Sequence, residues 1–196
     1  FRQRFEIPAG RRMVLSVRRI DYQKNQLAQL DMLKQLLPSH PDLHLVLIGP
    51  VTVASYGQRL EEKIETEGLK GNVTLIPGLP GDDTALLDAY QAADIFCLSS
   101  LHEPFGIVIL EAWAAGLPVV ASAVGGIPGF THDGQDVLHA DPESPGTFAN
   151  AIGRLLEEPE LARSLSVRGR KRAVEEFDWS VVTRQLVDLY GDLTRT

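Results

Sequence analysis

The 196-residue sequence has one cysteine and no long uninterrupted apolar run. A lone Cys97 excludes a framework of disulfide bonds and is typical of a reducing compartment. The longest nearly uncharged window, residues 106–126, is broken by Glu111, Gly116 and Pro118, which argues against a membrane-spanning helix. The first residues do not have the pattern of a signal peptide. These features predict a cytoplasmic protein.

Positive charge is also in deficit, because the sequence has 19 Lys and Arg but 26 Asp and Glu, which gives a net charge of −7. This balance argues against a general nucleic-acid-binding surface. A glycine-rich dinucleotide motif and a Walker A lysine motif are both missing. The five histidines show no metal-ligand spacing with Cys97 or with the acids. The sequence therefore predicts neither a nucleic-acid partner nor a metal site.

What is present is a regular alternation of apolar strands and amphipathic helices. Strands are predicted over residues 12–17, 43–48, 73–76, 95–98, 118–121 and 137–139. Helices are predicted up to residue 37, over 54–67, from Asp82 or Asp83 to 93, over 106–115, from Pro145, over 160–176 and over 180–193. This order predicts one α/β domain with a Rossmann-like open parallel sheet and helices on both faces. Trp113 and Trp179 are expected to pack in the core.

Ligands of open parallel sheets bind at the carboxyl ends of the strands. Here that rule selects the loops 18–25, 49–55, 99–106 and 122–128. The charged and glycine-rich residues that need an explanation fall in these loops. We therefore expect the functional site along that edge of the sheet.

A basic pair, Arg19 and Lys24, follows the first strand. Arginine offers a planar fork for phosphate oxygens, and lysine offers a compact positive charge. The two residues could clamp one diphosphate, and the alternative is a solvated basic loop. Their position at the carboxyl end of a strand favours ligand binding.

Two further features could bind an anion through backbone amides. Gly106 opens an apolar helix whose first N–H groups have no partner within the helix and carry partial positive charge. Gly125 and Gly126 follow the fifth strand, where successive amides could form an anion nest. An ordinary tight turn at this glycine pair is equally compatible with the sequence.

Two acids, Glu103 and Glu111, lie eight residues apart, and Glu111 is the only charged side chain between residues 104 and 132. A lone acid in an apolar helix is costly to bury, so we expect Glu111 to have a partner in the fold or in a ligand. The pair could be the carboxylates of a glycoside hydrolase, or it could bind hydroxyl groups. The structural alternative is a surface Glu103 with Glu111 ion-paired to a neighbouring strand. A hydrolase would leave the basic loop unexplained.

The segment 103–112, in which seven residues separate two glutamates, resembles the signature of the retaining glycosyltransferases of family 4, the group 1 family. Further motifs follow that family's order and spacing: Arg19 with Lys24, residues 114–120 and residues 124–128. The resemblance extends from residue 13 to about residue 189.

This resemblance implies a two-domain GT-B fold with the active site between the domains. The chain resembles the C-terminal, donor-binding domain, with residues 1–11 as an entry segment and 178–196 as a C-terminal helix. Because the sequence lacks an initiator methionine, we expect an N-terminal acceptor domain outside this chain. That domain would bind a carbohydrate, a lipid or another small acceptor.

The resemblance also implies residue roles. Arg19 and Lys24 would hold the donor diphosphate, Glu111 the ribose hydroxyls, and Glu103 would lie beside the transferred sugar, with Glu103, Arg19 and Lys24 as catalytic residues. The other donor-binding residues that it implies are Phe105, Gly106 and Ile107, through their amides, and Gly78 and Leu79, in the loop that carries the base. No metal or other cofactor is implied, since the basic pair supplies the positive charge.

Two positions depart from the family pattern. Arg18 stands where the family commonly has glycine, and Gly129 stands where an acidic residue is frequent. The first departure predicts a more crowded loop or a different ligand contact.

Together these features predict an enzyme of carbohydrate biosynthesis, a hexosyltransferase that moves a sugar from a UDP-, GDP- or ADP-sugar to an acceptor with retention of anomeric configuration. The isolated domain is expected to be inactive alone. The alternatives are a GT-B sugar-nucleotide epimerase and a non-catalytic nucleotide-sugar-binding module. The full-length protein would be cytoplasmic, with peripheral attachment to the inner face of the membrane as a second option.

Overall fold

The computed structural model describes residues 1–80 and 83–193. Its strands are β1 Arg12–Val17, β2 Leu43–Ile48, β3 Val73–Ile76, β4 Ile95–Leu98, β5 Val119–Ser122 and β6 Leu138–Ala140. Its helices are α1 Gln26–Leu36, α2 Ala54–Thr66, α3 Ala85–Ala92, α4 Ile107–Ala114, α5 Ile127–Phe130, α6 Pro145–Glu157, α7 Pro159–Glu176 and α8 Trp179–Leu193.

The strands form one parallel sheet in the order β3-β2-β1-β4-β5-β6. This is the strand order of the doubly wound Rossmann fold, so the predicted fold class is confirmed. The first four strands have the predicted bounds, while β5 and β6 begin one residue later than predicted. At β5 the reason is Pro118, which has no N–H for the ladder and only accepts from the amide of Phe96, at 3.0 Å.

The start of α3 also differs from the prediction. The helix begins at Ala85 with Thr84 as its N-cap residue. Asp83 still contributes, because its carboxylate accepts the N–H of Ala85 at 2.9 Å. The other predicted cap, Asp82, lies outside the described residues.

Two apolar cores cover the two faces of the sheet. Successive residues of β1 alternate between them, with Val14 in one core and Met13 and Leu15 in the other. The first core packs against α1, α2 and α6, and the second packs against α3 and α4. All six residues of β2 are buried, as its continuous apolar sequence predicts.

The strand order reverses between β1 and β4, and this switch point fixes where a crevice opens. The loops after these two strands are joined across the crevice by hydrogen bonds. The N–H of Leu101 donates to the carbonyl of Gln23 at 2.8 Å. The hydroxyl of Ser99 donates to the carbonyls of Lys24 and Asn25, both at 3.1 Å. The two loops therefore form one continuous wall.

The ends of the chain differ in how they pack. Residues 1–11 form turns, and Ile7 reaches the core with 4% exposure. By contrast, α8 contributes no buried residue. Trp113 is fully buried as expected, but the expectation for Trp179 is wrong, because it is 80% exposed on α8. Within residues 1–80 and 83–193, no helix combines the length and apolar character needed to cross a membrane.

Candidate functional site

A cleft of about 600 Å³ opens at the carboxyl ends of β1, β2 and β3, against one side of α4. We call it the β1 cleft, and its lining consists of Val17, Arg18, Arg19, Lys24, Ile48, Gly49, Pro50, Gly78, Leu79, Leu86, Val108 and Glu111. It therefore brings together five of the residues predicted for donor binding: Arg19, Lys24, Gly78, Leu79 and Glu111. These residues come from three separate segments of the chain.

Asp21 organises the loop after β1. Its side chain is 7% exposed, and Oδ1 accepts the N–H of Lys24 at 3.1 Å. Oδ2 accepts the hydroxyl of Thr52 at 3.2 Å and lies 3.3 Å from Nη2 of Arg19. The buried carboxylate thus holds the backbone of one cation of the basic pair and the side chain of the other.

Lys24 and Glu103 form a buried ion pair. The Nζ–Oε2 distance is 3.0 Å, and the two side chains are 8% and 6% exposed. The same Nζ donates to the carbonyl of His102 at 3.3 Å, and the hydroxyl of Ser100 donates to Oε2 at 3.4 Å. The alternative of a solvated loop is therefore wrong for Lys24, and the alternative of a surface position is wrong for Glu103. The loop after β1 and the loop after β4 pack together and bury both charges.

Arg18 is a second cation beside Glu103. Its Nη2 lies 3.1 Å from the same Oε2, and its side chain is 15% exposed. The distance is that of an ion pair, but the angle is not that of a hydrogen bond. Nε and Nη2 are both buried without a hydrogen-bond partner among the described residues. Burial lowers the pKa of Arg18.

Glu111 lies on the opposite wall of the β1 cleft, and it is exposed. The expectation of a buried acid is wrong: the buried residues of α4 are Val108, Ile109, Ala112 and Trp113, and Glu111 is exposed at the rim of the cleft. The hydroxyl of Tyr90, on α3, donates to Oε2 of Glu111 at 2.6 Å. Burial, together with the negative charge of Glu111, raises the pKa of Tyr90. Glu111 thus has a neutral partner and no ion pair among the described residues.

The start of α4 leaves backbone amides open. Gly106 caps the helix with a left-handed φ of 94°. Within the described part of the chain, the N–H groups of Phe105, Gly106 and Ile107 donate no hydrogen bond. The side chains of Phe105 and Ile107 are exposed and do not line the β1 cleft, and Phe105 stacks on Phe130 at 4.7 Å. These residues can meet a ligand of the cleft through their backbone.

The glycine pair after β5 serves packing, and the nest hypothesis is wrong for Gly126. Its N–H donates to the carbonyl of Glu103 at 3.0 Å, so it is not open to an anion. A Cβ on Gly126 would lie 2.1 Å from the carbonyl oxygen of Pro104. On Gly125, which has a φ of 57°, it would lie 2.0 Å from that of Glu103. The pair lets two backbone segments touch.

Sequence reasoning missed one part of the site, Tyr90, and placed Arg18 and the pair Gly49 and Pro50 only by their loops. Arg18 stands out in the sequence only as a departure from a family pattern, although a basic residue at the end of a strand is a usable signal. Gly49 and Pro50 line the cleft, and a Cβ on Gly49 would lie 1.9 Å from the carbonyl oxygen of Arg18. Tyr90 gave no local signal.

Among residues 1–80 and 83–193, no three His, Cys, Asp or Glu side chains are grouped so as to hold a metal ion.

The fold and the cleft together define a Rossmann-like α/β protein with a cationic site at its topological switch point. Residues 1–172 match the family model for glycosyl transferases group 1, and the chain belongs to this family. The D-inositol 3-phosphate glycosyltransferase of Corynebacterium urealyticum is 31% identical over 196 residues, covering 98% of this chain and 46% of the relative. The chain thus spans about half the length of the curated relatives it matches end to end.

Solved structures of glycosyltransferases are also similar to this chain. Anabaena HepE, in complex with UDP and glucose, has a TM-score of 0.85 at 26% identity, covering 97% of this chain and 50% of HepE. The C-terminal domain of the group 1 glycosyl transferase LpcC from Francisella tularensis has a TM-score of 0.81 at 24% identity, covering 90% of this chain and 91% of that domain. The fold is therefore that of the C-terminal half of a GT-B glycosyltransferase.

Proposed function

We propose that this chain is the donor-binding domain of a glycosyltransferase that moves a hexose from a nucleoside diphosphate sugar to an acceptor with retention of anomeric configuration. The observation that carries the proposal is the convergence of Arg19, Lys24 and Glu111 in one cleft at the switch point of the sheet. The site has cations in its middle, the carboxylate of Glu111 at one end and the carboxylate of Glu103 beside Lys24. This arrangement matches a ligand in which phosphates separate two groups that carry hydroxyls.

The roles within this proposal follow from the chemistry of each group. Arg19 and Lys24 bind the diphosphate, and the exposed carboxylate of Glu111 accepts hydrogen bonds from the ribose. Gly78 and Leu79 line the cleft where the base would lie. Glu103 lies at the far side of Lys24, where the sugar would sit.

In the proposed reaction, the bond between the anomeric carbon and the diphosphate oxygen breaks, and negative charge accumulates on the diphosphate. Arg19, Lys24 and the open amides at the start of α4 stabilise that charge where it develops. The acceptor hydroxyl attacks from the same face and transfers its proton to the departing diphosphate oxygen. The cations of the site take the place of a divalent metal ion.

The donor nucleoside is uridine, guanosine or adenosine. Uridine has the strongest support, because HepE, whose aligned half is 26% identical to this chain, was solved with UDP. The acceptor would be bound by a further domain, since the curated relatives are about twice as long as this chain. One such domain supplies a single wall of the active site, so the chain alone is expected to bind donor without transferring sugar.

Titration calorimetry of the chain with UDP, GDP and ADP in EDTA tests the binding step. We expect heat from at least one of them, and none from any of the three, on folded protein, would refute the proposal. A longer form that includes an acceptor domain tests the chemistry through NMR of the anomeric linkage in the product. An inverted linkage would contradict retention. A sugar-nucleotide epimer formed without acceptor would identify an epimerase.

A further inference from the structure

Arg18 lines the β1 cleft among the residues proposed to bind the donor, but the proposed function leaves it without a role. Its side chain is only 15% exposed. Two of its nitrogens, Nε and Nη2, are buried and have no hydrogen-bond partner among the described residues. Buried donors without an acceptor are costly and infrequent, and a ligand that enters the cleft would supply the missing acceptors.

Glu103 does not account for these donors. It lies 3.1 Å from Nη2 of Arg18, but the two groups are not aligned for a hydrogen bond. Its Oε2 already accepts from Lys24 at 3.0 Å and from Ser100 at 3.4 Å. The guanidinium of Arg18 therefore retains the capacity to bind a second anion.

The position of Arg18 indicates which anion. Its Nη2 lies 3.1 Å from Oε2 of Glu103, and its side chain lines the same cleft as Arg19 and Glu111. In the proposed function, Glu103 marks the sugar end of the donor and Glu111 marks the ribose end. The group that joins a ribose to a sugar in such a donor is the diphosphate.

The other two cations of the cleft each have a carboxylate already. Lys24 is paired with Glu103, and Arg19 lies 3.3 Å from Asp21. Arg18 shares Glu103 with Lys24, so that carboxylate balances only one of the two charges. One of the three cations is therefore left without a carboxylate of its own and is available to the phosphate groups.

We propose that Arg18 is a third diphosphate-binding cation, whose fork of N–H donors binds phosphate oxygens together with Arg19 and Lys24. The proposal rests on the proposed function, because it takes a nucleoside diphosphate as the ligand. Arginine suits this task better than lysine, since its planar donors bind two phosphate oxygens at once.

The test is calorimetry of the wild-type chain, Arg18→Gln and Arg18→Lys, with UDP, GDP and ADP and with the matching nucleosides. Arg18→Gln should weaken diphosphate binding about 10- to 100-fold, the effect of losing hydrogen bonds between charged groups, and should leave nucleoside binding unchanged. Arg18→Lys should lie between the wild type and Arg18→Gln, because it keeps the charge and loses the fork. Thermal melting confirms that each variant is folded.

Arg11→Gln is the matched control, since Arg11 lies next to the opposite end of β1 and loses the same charge. Equal weakening by Arg11→Gln would reduce the effect to net charge and overturn the proposal. An unchanged diphosphate affinity in Arg18→Gln would also overturn the proposal. An equal loss of affinity for nucleoside and diphosphate would overturn it as well, because it would indicate a structural role for Arg18. If the wild type binds none of the diphosphates, the proposed function fails, and this proposal fails with it.

Discussion

Nζ of Lys24 lies 3.0 Å from Oε2 of Glu103, and both side chains are less than a tenth exposed. A lysine that is to hold a diphosphate is therefore already neutralised by a carboxylate of the same site. Binding of the proposed donor must redistribute that positive charge between the diphosphate and Glu103. This competition makes the affinity of the cleft sensitive to the charge of one acid.

Glu103→Gln should strengthen nucleoside diphosphate binding by about 1 kcal/mol, the size of one screened charge pair at short range. The ligand-free fold should lose about 3 kcal/mol of unfolding free energy, because Lys24 stays buried without its partner. In a longer, catalytically complete form, turnover should fall, since Glu103 is proposed to contact the sugar. Calorimetry and urea denaturation measure the first two effects. Glu175→Gln, an exposed acid on α7, is the control, and weaker diphosphate binding by Glu103→Gln would contradict the competition.

Glu111→Gln should weaken nucleotide binding by about 1–3 kcal/mol and leave the melting temperature nearly unchanged. The reason is that Glu111 is exposed, so its charge costs the fold little while it remains available to a ribose. Calorimetry and thermal melting distinguish the two roles. A large drop in melting temperature with unaltered affinity would assign Glu111 to the fold.

Tyr90→Phe should weaken nucleotide binding by about 1 kcal/mol, because it removes the hydrogen bond that orients Glu111. Tyr22→Phe is a matched control, since its hydroxyl bonds to Ser55 at an exposed position. Calorimetry with the diphosphate that binds best measures both variants. Equal affinities for the two would show that orientation by Tyr90 has no effect.

Gly126→Ala should lower the unfolding free energy by about 1–3 kcal/mol and weaken diphosphate binding, because a Cβ would displace Pro104 and the loop that carries Glu103. Gly129→Ala is the control: nothing lies within 4 Å of a Cβ at that position. Urea denaturation and calorimetry compare the two variants. Similar behaviour of both would show that the contact between these backbone segments is not needed.

His44 should make the protein less stable in mild acid. It is 3% exposed, and burial lowers its pKa to about 4 from an ordinary value near 6.5. Between these values the unfolded chain binds a proton that the folded chain does not, so stability falls as pH falls through this window. The loss should reach about 3 kcal/mol near pH 4.

His44→Gln should flatten this pH dependence, because glutamine can keep a hydrogen bond to Thr74 and does not titrate. Urea denaturation at pH 7 and pH 4.5 measures the difference. His102→Gln, an exposed histidine beside the cleft, should keep the wild-type dependence. Parallel pH profiles for the wild type and His44→Gln would assign the acid sensitivity to other groups.

The sequence by itself determined the fold class and the edge of the sheet that carries the site. Apolar runs such as β2 and the alternation with helices depend on local composition, so their bounds could be predicted to within a residue or two. The same local information placed Arg19 and Lys24 after β1, at the carboxyl ends where Gly78 and Glu111 also meet them.

Only the tertiary structure decided which of these charges are buried and with what partners. Glu103, in a polar loop, is buried by Lys24 and Arg18 from the loop after β1. Glu111, in an apolar helix, is exposed and bonded to Tyr90 on α3. Burial and pairing depend on which segments the sheet order brings together, and residues far apart in sequence supply them. A local pattern specifies the secondary structure of a segment, but it does not specify the neighbours that the fold places against it.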